Sequence, residues 1–176
     1  MSLQQHHQDY YPAQSSTPLY LVCDQITSPA NLGSIFRSAD AFGVHHIYLY
    51  RMSEELLQSK RLRRTSRSTD TKIEYRHVED LDELRTILDE RNVTPIALEL
   101  THSSKSLATF DALSDKSVAL IVGNENFGIC ESVLTLTRLH FHIDMYGQNS
   151  SMNVAVAASI AMYHIRKQQL QNSDSQ

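Results

Sequence analysis

No stretch of this chain keeps apolar residues together long enough to cross a bilayer; runs such as Val118–Val122 are strand-sized, against the roughly 20 residues a membrane helix needs. No secretory leader is expected either, since the residues around His6 and His7 are Gln- and His-rich with no apolar core and do not read as one. Cysteine is scarce. Cys23 falls in a predicted strand and Cys130 at a predicted helix start, far apart in sequence, which excludes a disulfide framework and a zinc knuckle. Free buried thiols suit a reducing compartment, so the expected location is the cytoplasm. An excess of positive charge is also lacking: 16 Lys and Arg stand against 20 Asp and Glu, a formal net charge of -4. That balance excludes a protein that coats nucleic acid indiscriminately.

Two catalytic signatures are absent as well. The residues after Gly128 are Ile129 and Cys130, so the ammonium and hydroxyl of a Walker phosphate loop are not there. Ser34 and Ser150 have no G-x-S-x-G setting around them, which removes a nucleophile-elbow hydrolase. His140 and His142 share one face of a predicted strand and His45-His46 opens another, but no third ligand at suitable spacing accompanies them; no metal is expected.

What the chain does have is one domain's length, 176 residues, in which strand-like and helix-like runs alternate. Residues 1–17 are polar and read as a flexible arm, 18–169 as the folded domain and 170–176 as a disordered tail. Strands are expected at 19–23, 47–50, 72–77, 95–100, 117–122 and 139–143. Helices are expected at 32–42, 81–92, 130–136 and 152–169, with Asn31 capping the first and Asp80 opening the second with a Glu83 capping box. The alternation predicts an α/β domain with a mainly parallel sheet and helices on both faces. Charge is uneven along it. Residues 51–76 hold eight bases and four acids, a local net of +4 on an otherwise acidic body. Arg63, Arg64 and Arg67 within it are candidate phosphate contacts, against the plainer reading of a solvated charged loop.

Three polar blocks follow apolar runs: Asn31-Leu32-Gly33-Ser34-Ile35-Phe36-Arg37, Gly123-Asn124-Glu125-Asn126-Phe127-Gly128 and Gly147-Gln148-Asn149-Ser150-Ser151-Met152-Asn153. Ligands bind at the carboxyl ends of strands in open α/β sheets, so the blocks are expected to converge on one site. In the first, Gly33 permits a close approach, and Arg37, if buried, requires an anionic partner. In the second, two glycines allow a tight turn. In the third, a helix rich in small residues begins near Ser151 and presents free N–H groups to a ligand.

The residues, order and spacing of these blocks resemble the SpoU (TrmH) family of RNA ribose 2'-O-methyltransferases, part of the SPOUT class, over residues 19–166. The resemblance implies a carboxyl-terminal trefoil knot, which general topology rules would never suggest. It implies S-adenosyl-L-methionine as methyl donor and an RNA substrate, tRNA first and ribosomal RNA second, with a homodimer formed through the 32–42 and final helices. Arg37 falls on the family's catalytic arginine, Asn31 on its companion, and Glu125, Ser151 and Asn153 on further functional positions. Leu98, Gly123, Ile143, Ser151 and Met152 fall on positions that embrace the donor. One position departs: the family usually has proline after the residue matching Ile143, and this chain has Asp144. Two other readings compete, an RNA-binding module that keeps the fold without transfer and a small-molecule α/β enzyme using the same pocket.

Overall fold

A computed structural model describes residues 16–111 and 116–173. Residues 1–15, which make up most of the expected arm, and 174–176 lie outside the described residues. Seven strands form one sheet: β1 (Leu19–Asp24), β2 (His46–Tyr50), β3 (Tyr75–Val78), β4 (Thr94–Leu98), β5 (Lys105–Ser106), β6 (Val118–Val122) and β7 (Leu139–His142). Among the described residues six α-helices accompany them: α1 (Pro29–Ala41), α2 (Glu54–Leu57), α3 (Lys60–Ser66), α4 (Leu81–Glu90), α5 (Glu131–Leu134) and α6 (Val154–Ser173). The order across the sheet is β3-β2-β1-β6-β4-β7-β5, and every pairing is parallel. The expected α/β architecture is therefore present, more uniformly parallel than alternation alone required.

Both faces of the sheet are covered, as a parallel sheet demands. Leu19, Leu21 and Cys23 of β1 point into one core with Leu32, Ile35, Phe36, Ala158 and Ile165 of α1 and α6. Tyr20 and Val22 point the other way, into a second core with Leu84, Leu88 and Val133 of α4 and α5. Burial raises the Cys23 thiol well above its usual range, with Asp24 and Glu125 adding to the shift, so it is a packing residue. Cys130 is only half-buried, contrary to the expectation of two buried thiols.

Several boundaries differ from expectation for identifiable reasons. α1 begins at Pro29, three residues early, because Ser28 caps it and proline suits the first helical position; Asn31 is thus freed for another task. At α4, Asp80 accepts from the backbone N–H groups of Asp82 and Glu83, but Glu83 pairs with Arg76 at 2.6 Å instead of closing a capping box. β5 is two residues long and gives no periodic signal. α6 continues to Ser173, so the first four residues of the expected tail are helical.

Two features hold the helical layer together. Gly33 packs on α3 so closely that a Cβ would stand 2.7 Å from the Leu62 carbonyl oxygen. Its close approach serves the chain's own α3. Arg166 of α6 donates to the Thr17, Phe42 and Gly43 carbonyl oxygens at 2.7, 3.0 and 2.6 Å, pinning the entry to β1 and the end of α1 to the last helix.

At the far side of the sheet, β7 lies between β4 and β5, so the 99–104 connection arches past the position that β7 fills.

Candidate functional site

Because the sheet is parallel, the loops after β1, β4, β6 and β7 emerge along one edge, and these loops carry the three polar blocks. Asn31, one turn into α1, donates through Nδ2 to Glu125 Oε1 at 3.0 Å and accepts through Oδ1 from Asn153 Nδ2 at 2.9 Å. One asparagine thus links all three blocks, across 94 and 122 residues of sequence. Asn153 also caps α6, accepting from the Ala155 and Val156 N–H groups at 2.9 and 3.3 Å. Glu125 accepts from the Thr27 N–H and hydroxyl and from the Ser28 N–H, at 3.0 to 3.1 Å. Burial pushes its carboxyl up, but the Asn31, Thr27 and Ser28 bonds outweigh that and hold its pKa below the usual carboxylate value. Thr27 and Ser28 escaped the sequence reading; the Ser-Pro pair before an apolar helix was the available signal.

Beside this network lies a cavity of about 310 Å³. Leu98 and Glu99 come from the end of β4, Ile143 and Asp144 from the end of β7, and Ser151 and Met152 from the approach to α6. Four of the five expected donor-binding residues, Leu98, Ile143, Ser151 and Met152, are therefore brought together. Gly123 does not line it. A Cβ there would lie 2.2 Å from the Gly128 carbonyl carbon and the Ile129 nitrogen, so this glycine is required by the turn that folds back on it. Glu99 is a cavity residue with no prior sequence signal; its Oε2 accepts from the Ile129 N–H at 2.9 Å, tying the cavity wall to the second block.

The histidine pair is engaged by hydroxyl groups. His140 sits between Thr101 and Thr137 hydroxyls at 3.1 and 2.8 Å, and His142 faces Ser104 Oγ at 2.9 Å. Among the described residues, no group of three His, Cys, Asp or Glu side chains is placed to hold a metal ion.

Arg37 departs most from expectation. It is exposed on the solvent face of α1, lines no part of the cavity and has no hydrogen-bond or ion-pair partner among the described residues. The buried arginine considered from its apolar neighbours is not what folds, because Leu32, Ile35, Phe36 and Ala39 take the core side of the helix. Arg63, Arg64 and Arg67 are likewise exposed, with no ion pair among the described residues, at or just beyond the end of α3. Arg67 takes the left-handed conformation that ends the helix.

A doubly covered parallel sheet with a cavity and a knit polar network at the carboxyl ends of its strands defines a ligand-binding α/β domain. Comparison with known proteins makes this more specific: residues 18–163 match the SpoU rRNA Methylase family, and the chain belongs to that family. The 23S rRNA (guanosine(2553)-2'-O)-methyltransferase RlmP of Bacillus subtilis (strain 168) is 32% identical over 83% of this chain and 57% of its own length. The AdoMet-bound rRNA methyltransferase of Sinorhizobium meliloti superposes with a TM-score of 0.78 at 27% identity, over 91% of this chain and 59% of its own. A structure solved for insights into the 2-OH methylation of C/U34 on tRNA gives a TM-score of 0.75 at 27% identity, over 88% of this chain and 98% of its own. The chain spans little more than half the length of the curated relatives it matches.

Proposed function

We propose that this protein transfers a methyl group from S-adenosylmethionine to a ribose 2'-hydroxyl of RNA, with tRNA the first candidate substrate and ribosomal RNA the second. The observation that carries the reading is the meeting of Asn31, Glu125 and Asn153 beside the cavity, in a chain of this family. The tRNA preference rests on the relative named for C/U34 methylation, which is matched over nearly its whole length.

The cavity suits an adenosyl group. Leu98, Ile143 and Met152 give it apolar walls, and Ser150, Ser151 and the loop backbone offer polar contacts at its rim. When bound, the donor would supply an electrophilic methyl carried on sulfur and would leave as the neutral thioether, the proton of the accepting hydroxyl passing to solvent. The residues must then position the acceptor oxygen and stabilise its developing negative charge. Arg37 is assigned that second task. A guanidinium holds its proton too tightly to serve as a base at neutral pH, so it acts as a cation beside the forming alkoxide. Asn31 and Glu125 set the helix that carries it.

Since Arg37 faces away from its own cavity, it serves the cavity of a second copy. The exposed apolar stripe Val156, Ile160 and Tyr163 on α6, beside the solvent face of α1, supports a homodimer through these helices. RNA is gripped by Arg63, Arg64 and Arg67. Phe127 and Tyr146, 88% and 97% exposed in the loops after β6 and β7, offer faces for stacking unpaired bases. The site's setting is cytoplasmic RNA.

The test is methyl transfer to bulk RNA followed by nucleoside analysis, with Arg37→Ala beside the parent. The expected result is 2'-O-methylated nucleoside from the parent alone, with donor binding retained in the variant. Donor and RNA binding by the parent without transfer would favour the non-catalytic RNA-binding reading.

A further inference from the structure

The Asp144 side chain enters the cavity wall. Its Oδ2 accepts a hydrogen bond from the Ser106 hydroxyl, while Oδ1 faces His142 Nε2 at 3.6 Å. On the other side of the ring, the Ser104 hydroxyl sets what Nδ1 does. Ser104 donates its one hydroxyl proton to the Thr101 carbonyl oxygen at 2.9 Å, so it meets His142 Nδ1 as an acceptor and that nitrogen carries the ring proton. The Asp144 carboxylate is left at the cavity wall, across a gap from Nε2 too wide for a direct hydrogen bond. Glu99 is the other acid in the wall, and among the described residues neither Lys nor Arg lines it.

A carboxylate that shares a cavity wall with a second acid is matched by a positively charged ligand. We propose that Asp144, with His142 beside it, is a specificity-determining residue of the cavity that favours the cationic sulfonium donor over the neutral thioether left after methyl transfer. The inference rests on the donor assignment above. Two charges separated by about 8 Å at an effective dielectric of about 40 interact by enough to change affinity roughly fivefold.

The experiment is calorimetric titration of the full chain with S-adenosylmethionine, with S-adenosylhomocysteine, and with an analogue carrying a protonated amine in place of the sulfonium. The parent is expected to bind both cations more tightly than the thioether. Asp144→Asn, which keeps shape and loses charge, is expected to reduce that preference roughly fivefold, chiefly by weakening the cations. Asp144→Ser, run in parallel, is expected to do the same should the amide disturb the loop, and Asp144→Glu to keep most of the preference. An unchanged preference in both neutral variants overturns the proposal. A parent that binds none of the three ligands overturns the donor assignment instead.

Discussion

The two polar regions of this molecule are built on opposite plans. In the Asn31, Glu125 and Asn153 network each side chain has partners inside the chain, and Glu125 alone takes four hydrogen bonds. On the surface formed by α1 and α3, Arg37, Arg63, Arg64 and Arg67 have none among the described residues. A polar group satisfied internally is part of the framework, because removing its partner strands the atoms left behind. A cation left open on the surface costs the fold nothing to lose and is available for something outside. Substitutions in the first region should therefore register as stability, and in the second as function.

The sharpest break in this contrast is Arg37→Ala. Loss of a cation beside a developing alkoxide is expected to lower kcat by about 10²- to 10³-fold. The thermal midpoint should remain within a degree or two of the parent's, and donor affinity by calorimetry should be unchanged. A large fall in both would move Arg37 into the framework.

Glu125→Ala is the converse case. Stranding the Thr27 and Ser28 N–H groups and the Asn31 amide is expected to cost about 1–3 kcal/mol, with the half-exposed setting keeping it toward the lower end. Denaturant titration reads it. The sign of the pH dependence follows from the depressed carboxyl. A lowered pKa contributes stability that is fully present above the unfolded value, near 4.3, and is lost as pH falls through the folded value below it. Glu125→Gln should accordingly lose less stability than the parent between about pH 5 and 3. A parallel fall in both proteins would assign the acid sensitivity to other carboxylates.

Replacing Arg63, Arg64 and Arg67 together with Ala tests the open surface again. If all three meet phosphate, the slope of log affinity against log salt should flatten by about 2 for single-stranded RNA, with stability unaffected. An unchanged slope removes α3 from the interface. The smallest effect is reserved for Asn153→Ala, which removes the α6 cap at a cost of about 1 kcal/mol. Its loss of the Asn31 bond should couple it to Asn31→Ala in a double-mutant cycle, and strict additivity would uncouple them.

The legible part of this molecule was what local pattern encodes. Apolar runs marked five of the strands closely and the third more loosely, and the alternation marked the sheet's parallel character. The three blocks announced their own convergence, since each sits where a strand hands over to a helix and all such handovers share one edge of a parallel sheet. Local pattern failed where partners decide the outcome. Asn31 looked like a cap, but Ser28 was better placed for that bond, and only the third dimension offers Asn31 its two distant partners. Gly123 looked like part of a tight turn, but only the folded chain shows that the backbone it must admit is five residues further on. Arg37 carries the same letters whether buried or exposed; the packing of α3 against Gly33 and of α6 against Ser38 turns that side of α1 outward. β5 was silent because two residues have no period.

The placement of β7 between β4 and β5 has a consequence for how the chain is made. As the polypeptide leaves the ribosome, β5 has no neighbour and one edge of β4 is bare until residues 139–142 arrive. A bare parallel edge is sticky, and pairing that awaits late-synthesised residues is slow to close. The nascent chain therefore carries an unpaired β4 edge until its last strand is made, and closure of that side of the sheet is a late event in folding.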